Sequence, residues 1–459
     1  MPATTTPRNR AYVETYGCQM NIGDGELMEG ILAAAGYEIA SCPEEADVVL
    51  VNTCAIREHA ERRVLGRVSQ LNALKKRRPD LVIGVTGCMA QRMGDGLLAR
   101  APYVDLVMGP DGYRSLPDAL ARLREPRGPS PAVRRRRRER VQLAVLDIDI
   151  EESYEGLAPR RGSDVNAWVT VQRGCNHRCT FCIVPYVRGP EKNRRPDEVL
   201  AEVAGLAARG ITQVTLLGQT VNSYSHPGWS FPRLLREVAH VPGIQRVRFT
   251  SPHPKDVTPA LVEVMAGEAA VCEQLHLPVQ SGSDAVLRRM LRRYTVAGYL
   301  EKVAMVRDAI PEVALSTDLI VAFPGETEAD FEATLDLVRH VGYDDAFTYR
   351  YSPREGTPAT RLPAASFVPH DVAQRRLERL IDVARDVQAR INRSEVGRME
   401  EVLVEREAHG PGQVMGRTRR NKVVTFDGDP SWIGTYRSVR IERTSGVTFT
   451  GRPAEAASA

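Results

Sequence analysis

Three cysteines, Cys175, Cys179 and Cys182, stand in the pattern C-x3-C-x2-C, written CNHRCTFC in the chain. Three thiolates are one too few for a closed structural zinc site, which takes four protein ligands. An iron–sulfur cluster held by three thiolates leaves one iron open to a substrate or cofactor. Zinc completed by His177 stays open as the alternative, although His177 lies close in sequence to Cys175 and Cys179 for a tetrahedral site. A second set, Cys18, Cys54 and Cys88, has spacings of 36 and 34 residues. Each follows an expected β-strand within about two residues (VETYGC, LVNTC, GVTGC), and parallel strands in right-handed βαβ units turn their C-terminal ends to one edge. The three thiols can therefore converge; the competing reading is three buried structural cysteines. Cys42 and Cys272 lack that repeated context and are read as structural.

The elements that must position these thiols divide the chain into three folded regions. Residues 10–125 alternate short apolar runs with helical segments, with strands expected at Ala11–Tyr16, Asp47–Val51, Leu81–Val85 and Val104–Met108, which predicts a parallel α/β domain. Residues 126–162 turn to Pro, Gly and charge, including the five arginines Arg134–Arg138, and read as a basic linker. That arginine run is either a solvated segment or a non-specific contact to phosphates. Residues 163–391 resume the α/β alternation. Strands are expected at Ala167–Gln172, Gln213–Leu217, Arg246–Thr250, Gln274–Pro278, Leu315–Val321 and Ala346–Tyr351, with helices at Asp197–Ala208, Asp284–Arg292 and Glu328–Val341. Six βα units predict a partial TIM-like (β/α)6 barrel whose chemistry belongs at the C-terminal ends of its strands. Residues 394–455 change to short strands at Val402–Glu405, Gln413–Gly416, Lys422–Phe426 and Arg437–Glu442, a small all-β barrel.

Composition narrows the function classes. The 459 residues, 42% hydrophobic and 26% charged, belong to a globular multidomain protein. With 62 Lys+Arg against 58 Asp+Glu the net charge is only +4, so any case for nucleic acid must come from local patches. No apolar run approaches the roughly 18 residues of a membrane span, and the first ten residues lack the apolar core of a secretory signal. The expectation is a cytoplasmic protein. Eight cysteines in this length are too sparse for a disulfide scaffold.

The C-x3-C-x2-C loop, with Phe181 before its last cysteine and opening a βα barrel, resembles the radical S-adenosylmethionine (SAM) enzymes. The resemblance implies a 4Fe-4S cluster whose open iron takes the amino and carboxylate groups of SAM, reductive cleavage of SAM to a 5′-deoxyadenosyl radical, and Phe181 near the adenine. With a second three-cysteine set ahead of the barrel and a small β-barrel behind it, the chain resembles the methylthiotransferases over nearly its whole length. The motifs are ETYGCQMN (14–21), NTCAIREHAERR (52–63), GCMAQR (87–92), RGCNHRCTFCIVPYVRGPEKNRRP (173–196), LLGQTVNSY (216–224), LHLPVQSGSDAVLRRM (275–290), STDLIVAFPGET (316–327), YSPREGTPA (351–359) and GRTRRNKVV (416–424). NTCAIRE and HLPVQSGSD are most similar to the branch acting on N6-isopentenyladenosine next to the anticodon of tRNA; the arginine-rich insertion departs from the usual linker. The activity implied by the resemblance is methylthiolation of carbon 2 of that base. It would use two 4Fe-4S clusters, SAM as radical source and methyl donor, and an electron donor such as flavodoxin or ferredoxin, in a monomer with no membrane partner. The alternatives are a methylthiotransferase for threonylcarbamoyladenosine in tRNA and a non-catalytic RNA-binding zinc protein.

Other candidate contacts rest on residue type. Gln219 and Asn222 in LLGQTVNSY, and Gln280, Ser281 and Ser283 in QSGS, suit ribose and adenine recognition and equally suit ordinary turns. Thr317 and Asp318 sit in an apolar strand, where a carboxylate needs a partner, with SAM contact the second option. Arg188, Glu191, Arg194 and Arg195 either grip a carboxylate or phosphate or form a plain ion network. From Ala408 to Pro453 eight basic residues face three acids, a balance of +5, and the region resembles the TRAM domain, an RNA-binding barrel. Arg417, Arg419, Arg420 and Lys422 are its expected RNA contacts, with Phe426, Trp432 and Tyr436 for stacking or for its core.

Overall fold

The computed structural model describes residues 9–55, 58–125, 142–163 and 165–454; the Arg134–Arg138 run lies outside the described residues. Two compact units compose the chain. The first is Met1–Gly162 with Arg173–His177 and Cys182–Lys192, and the second is Ser163–Gln172 with Arg178–Phe181 and Asn193–Ala459.

The first unit is built on six parallel strands: β1 (Arg10–Thr15), β2 (Glu38–Ile39), β3 (Val48–Thr53), β4 (Val82–Gly87), β5 (Leu106–Met108) and β6 (Leu143–Val145), in the order β2-β1-β3-β4-β5-β6. Strands β3 (VVLVNT) and β4 (VIGVTG) are buried at every position, the pattern of central strands covered on both faces. Val49, Val51, Ile83 and Val85 enter one apolar cluster, and Val48, Leu50 and Val82 the other. Both strands run past their expected ends. Their polar tails stay extended because Thr53 Oγ1 donates to Thr86 O and Thr53 pairs with Gly87. At Gly87 φ is +90°, and a Cβ there would lie 2.5 Å from Thr53 O, so only glycine lets the chain leave the sheet at this point.

The expected linker needs correction. Residues 143–145 form the edge strand β6, Leu106 pairing with Leu143 and Met108 with Val145, and Tyr154 beyond them joins the same apolar cluster as Tyr113. Three residues are too few for an alternation signal, and the open edge of β5 supplies the pairing.

The second unit carries six parallel strands in chain order: β7 (Asn166–Thr170), β8 (Gln213–Leu217), β9 (Arg246–Phe249), β10 (Gln274–His276), β11 (Ala314–Val321) and β12 (Asp345–Arg350). They form two three-stranded sheets, β9-β8-β7 and β10-β11-β12, linked by a parallel bridge between Val247 and Val271. This is the expected partial barrel. Helices such as Pro196–Ala208, Val296–Ala309 and Glu328–Val341 cover one face, and the main apolar core lies between them and the strands. The helix expected over Asp284–Arg292 stops at Arg289, and Leu291 adopts φ +55° just beyond.

The last part is a closed barrel of β13 (Met399–Glu407), β14 (Gln413–Thr418), β15 (Val423–Asp427), β16 (Tyr436–Thr444) and β17 (Phe449–Pro453), ordered β13-β14-β15-β17-β16. β17 adds to the four expected strands; Gly451 and Pro453 break its alternation, which hides it in the sequence. It closes the barrel and buries Phe449 beside Phe426 and Val424.

Candidate functional site

Strand register explains where the first cysteine set lies. Thr53 opposes Gly87 and Thr15 opposes Asn52, so Cys54 and Cys88 step off adjacent strands at one level, and Cys18 begins the helix that follows β1. The Cys54 side chain hydrogen-bonds Cys18, which holds that thiol below its ordinary pKa. Cys18 Sγ also lies 3.3 Å from Asn21 Oδ1, and Asn21 in turn donates to Asn52 Oδ1 and Thr53 O at 3.2 and 3.0 Å. Cys88 is buried, which pushes its thiol up, while Arg188 Nε donates to its Sγ at 3.1 Å. Arg188 Nη2 holds the buried carboxylate of Asp24, and its Nη1 is buried with no hydrogen-bond partner among the described residues. A cationic N–H left open beside three converging thiols suits an anionic sulfur-rich group.

The unit division passes through the second set: Cys175 and Cys182 belong to the first unit and Cys179 to the second. In the first unit the loop entrance is pinned by Arg173, whose Nη2 donates to Asp111 at 3.0 Å and whose guanidinium lies 3.6 Å over the Tyr154 ring. Gly174, at φ +74°, sits where a Cβ would come within 1.8 Å of Pro190 O, and Cys175 N donates to Gly189 O. Ile183, next to Cys182, packs with Val187 against Cys88 and Ala55. In the second unit Cys179 is buried and Arg292 Nη1 lies 3.5 Å from its Sγ. Thr180 N and Oγ1 donate to Met290 O and Arg289 O, and Phe181 packs on Val286, Met290, Phe323 and Ala359. A cation aimed at a buried thiol fits a thiolate ligand better than a structural thiol.

The remaining candidates separate on geometry. Gln219 Oε1 is buried without a hydrogen-bond partner among the described residues, free to meet a ligand. Asn222 is not: both ends of its amide are tied to the His253 backbone, at 2.9 and 2.7 Å. Ser281 and Ser283 are turn residues. Ser281 Oγ accepts from Ser283 N, and Ser283 caps the helix Asp284–Arg289. Gln280 uses its backbone, donating to Asp318 O and accepting from Ile320 N at φ +74°. Neighbours on a strand point to opposite faces, so Thr317 and Asp318 cannot both meet one ligand. Thr317 is buried on the helix-covered face with its Oγ1 on Leu277 O and Val279 N, whereas Asp318 faces the other way and meets His276 Nε2 at 3.4 Å. Arg194 and Arg195 form the plain network, with Glu202 and Asp197. Glu191 accepts from Asn176 N at 3.3 Å.

The four expected RNA contacts of the terminal barrel are engaged in internal pairs, while Arg440, Arg443 and Arg452 on the same barrel are exposed. Arg419 binds Glu273 at 2.8 Å and the carbonyls of Ala269 and Val271. Arg420 bridges Glu395 and Glu400, and the buried Lys422 meets Asp344 at 2.7 Å and Asn392 at 2.8 Å. Arg417 is the most exposed of the four and lies 3.3 Å from Glu405. Phe426 fills the barrel core, Trp432 packs against it under Arg437, and Tyr436 bonds Thr212. Arg246 and Arg248 complete the seam by donating to the carbonyls of Arg417, Thr418 and Arg419. Arg417, Arg419, Arg420 and Lys422, with Arg246 and Arg248, hold the barrel to the rest of the second unit and are not themselves a free RNA face. Arg420→Ala should therefore cost roughly 1–3 kcal/mol, because it takes one of two cations from the buried Glu395 and leaves it Lys422 alone at 3.8 Å. The salt slope of RNA binding should stay at the wild-type value, checked by denaturant unfolding and a binding titration on one preparation.

Two functional groups carry sequence signals that residue type alone does not single out. Arg292 lies in the run LRRMLRRY, and Asp24 comes six residues after Cys18.

Three family models match separate stretches of the chain: the uncharacterized protein family UPF0004 at residues 10–109, the radical SAM superfamily at 169–338 and the TRAM domain at 393–452. A tRNA-2-methylthio-N(6)-dimethylallyladenosine synthase of Clostridium botulinum (strain Langeland) is 42% identical over 96% of this chain and 96% of its own. One from Moorella thermoacetica is 44% identical over 94% and 95%. Among solved structures, the radical SAM methyltransferase TsrM of Kitasatospora setae superposes with a TM-score of 0.57 at 17% identity, over 76% of this chain and 77% of that one, a likeness of fold. Among the described residues no helix is long and apolar enough to cross a membrane.

Proposed function

Because the chain belongs to the tRNA-2-methylthio-N(6)-dimethylallyladenosine synthase family, we infer that it is a radical SAM methylthiotransferase. It replaces the hydrogen on carbon 2 of N6-isopentenyladenosine, next to the anticodon of tRNA, by a methylthio group. The observation that carries the reading is the pair of three-cysteine sets at strand ends, each with a buried arginine on one of its sulfurs: Arg188 on Cys88 and Arg292 on Cys179. The radical SAM assignment entails SAM and a 4Fe-4S cluster, which Cys175, Cys179 and Cys182 would hold. A second cluster is assigned to Cys18, Cys54 and Cys88. When bound, these groups supply what side chains lack: a radical able to take an unactivated aromatic hydrogen, and a sulfur to replace it.

The chain's own residues orient and exclude. Arg292 and Arg188, both buried, balance thiolate charge on the buried Cys179 and Cys88, where such hydrogen bonds are strongest. Gln219 Oε1 is an acceptor for a SAM amino or hydroxyl group, and Phe181 joins the apolar wall of Val286, Met290, Phe323 and Ala359. We assign residues 10–125 to the methylthiotransferase domain, 163–391 to the radical SAM core and 394–455 to the TRAM-like barrel. We place the enzyme in the cytoplasm as a monomer fed by a flavodoxin or ferredoxin. The test is mass spectrometry of nucleosides from tRNA of a strain lacking this gene. Isopentenyladenosine should accumulate without its methylthio form, which returns on complementation; a methylthiolated pool of unchanged size would overturn the assignment.

A further inference from the structure

Arg417, Arg419, Arg420 and Lys422, the expected barrel contacts, are engaged in internal pairs, so a polyanion can meet a further cationic face beside the exposed barrel residues Arg440, Arg443 and Arg452. We propose that the arginines of the strand-end loops around Cys179, namely Arg178, Arg288, Arg289, Arg293 and Arg361, form the docking surface for the phosphates of the tRNA anticodon stem–loop, with Leu291 as an apolar crest among them. The proposal rests on the reading that tRNA is the substrate.

All of these residues belong to the second unit and all are exposed. They come from three connections beyond strand C-termini: Arg178 after β7, Arg288 and Arg289 at the end of the helix Asp284–Arg289 with Arg293 after it beyond β10, and Arg361 at the end of a short helical turn after β12. That is the face where a βα barrel carries its chemistry. Hydrogen bonds tie these connections together at one residue: Thr180 N donates to Met290 O, the Thr180 hydroxyl to Arg289 O, and Ala359 N to Thr180 O. The cations therefore ring the loop that bears Cys179. Arg178, Arg288, Arg293 and Arg361 have no ion-pair partner among the described residues, and Arg289 donates to the carbonyl of Gly325 with the Asp330 carboxylate also within its field. Nearby acids are already engaged, Asp284 with Val296 N and Glu326 with Arg376. Leu291 is 49% exposed, held outward at φ +55°, with Arg292 beneath it on Cys179. A cationic ring around an apolar knob matches a phosphate backbone with an unstacked base at its centre.

The experiment is a fluorescence-anisotropy titration of an anticodon stem–loop RNA carrying isopentenyladenosine into anaerobically reconstituted protein, across a salt series. Replacing Arg288, Arg293 and Arg361 together by alanine should weaken binding on the order of tenfold or more and shrink the log–log salt slope by about two to three. Replacing the same three by lysine should restore both, since a phosphate contact needs charge and no planar fork. A triple alanine variant that binds with wild-type affinity and slope overturns the docking surface while leaving the tRNA assignment standing. Wild-type protein that neither binds nor modifies this RNA overturns the tRNA assignment, and the docking surface with it.

Discussion

In an Arg188→Ala variant the first unit should lose about 3–5 kcal/mol of stability, because a buried carboxylate is left without its partner. Arg188 and Asp24 are 2% and 3% exposed in their side chains, and they join the segment after Cys182 to the helix after Cys18, 164 residues apart. Replacing Asp24 alone by alanine strands the guanidinium and should cost a similar amount. The double variant Asp24→Ala with Arg188→Ala should cost clearly less than the two singles added, since neither leaves an unpaired charge behind. Denaturant unfolding of all four proteins measures the coupling. Arg188→Lys separates pairing from shape: it keeps the charge for Asp24 and cannot also place Nε 3.1 Å from Cys88 Sγ. It should recover most of the stability and still retain less iron than the wild type. Strictly additive single and double variants would remove Arg188 from its place beside the thiols.

The iron-binding motifs are readable in the sequence because chemistry fixes both residue type and spacing. Three cysteines within eight residues admit few uses, and three others at strand ends acquire meaning from the handedness of βαβ units. The hidden features depend on partners distant in sequence. Charge counting makes Arg419, Arg420 and Lys422 an RNA patch, since nothing local records that Glu273, Glu395 and Asp344 meet them. Arg188 reads as a ligand grip for SAM or phosphate, and its partners Asp24 and Cys88 come from the opposite end of the unit. Thr317 and Asp318 pair as candidates by type, yet alternation sends them to opposite faces, a distinction the strand pattern already contains. Strand β6 lies in a Pro- and charge-rich stretch too short for any period to register.

The two cysteine sets should fail differently. Without Cys175 the radical SAM loop loses one of three thiolates, so nothing positions SAM for reduction, and 5′-deoxyadenosine formation should fall to background. Methylthiolation then stops for lack of a radical. Cys54 contributes only to the first unit, where its thiol bonds Cys18. In Cys54→Ala the iron content should drop by roughly half, and SAM cleavage under a strong reductant should continue. No sulfur is available at the vacated set, so the RNA should leave the reaction unmethylthiolated. Cys54 is also buried at a strand end, so Cys54→Ser, close in size, guards against a folding defect. The deciding measurement is a paired chromatographic assay of 5′-deoxyadenosine and methylthiolated nucleoside on the Cys175→Ala, Cys54→Ala and Cys54→Ser proteins after anaerobic reconstitution. The account predicts neither product from the first, and 5′-deoxyadenosine alone from the other two. Methylthiolated nucleoside formed at the wild-type level by either Cys54 variant would contradict it.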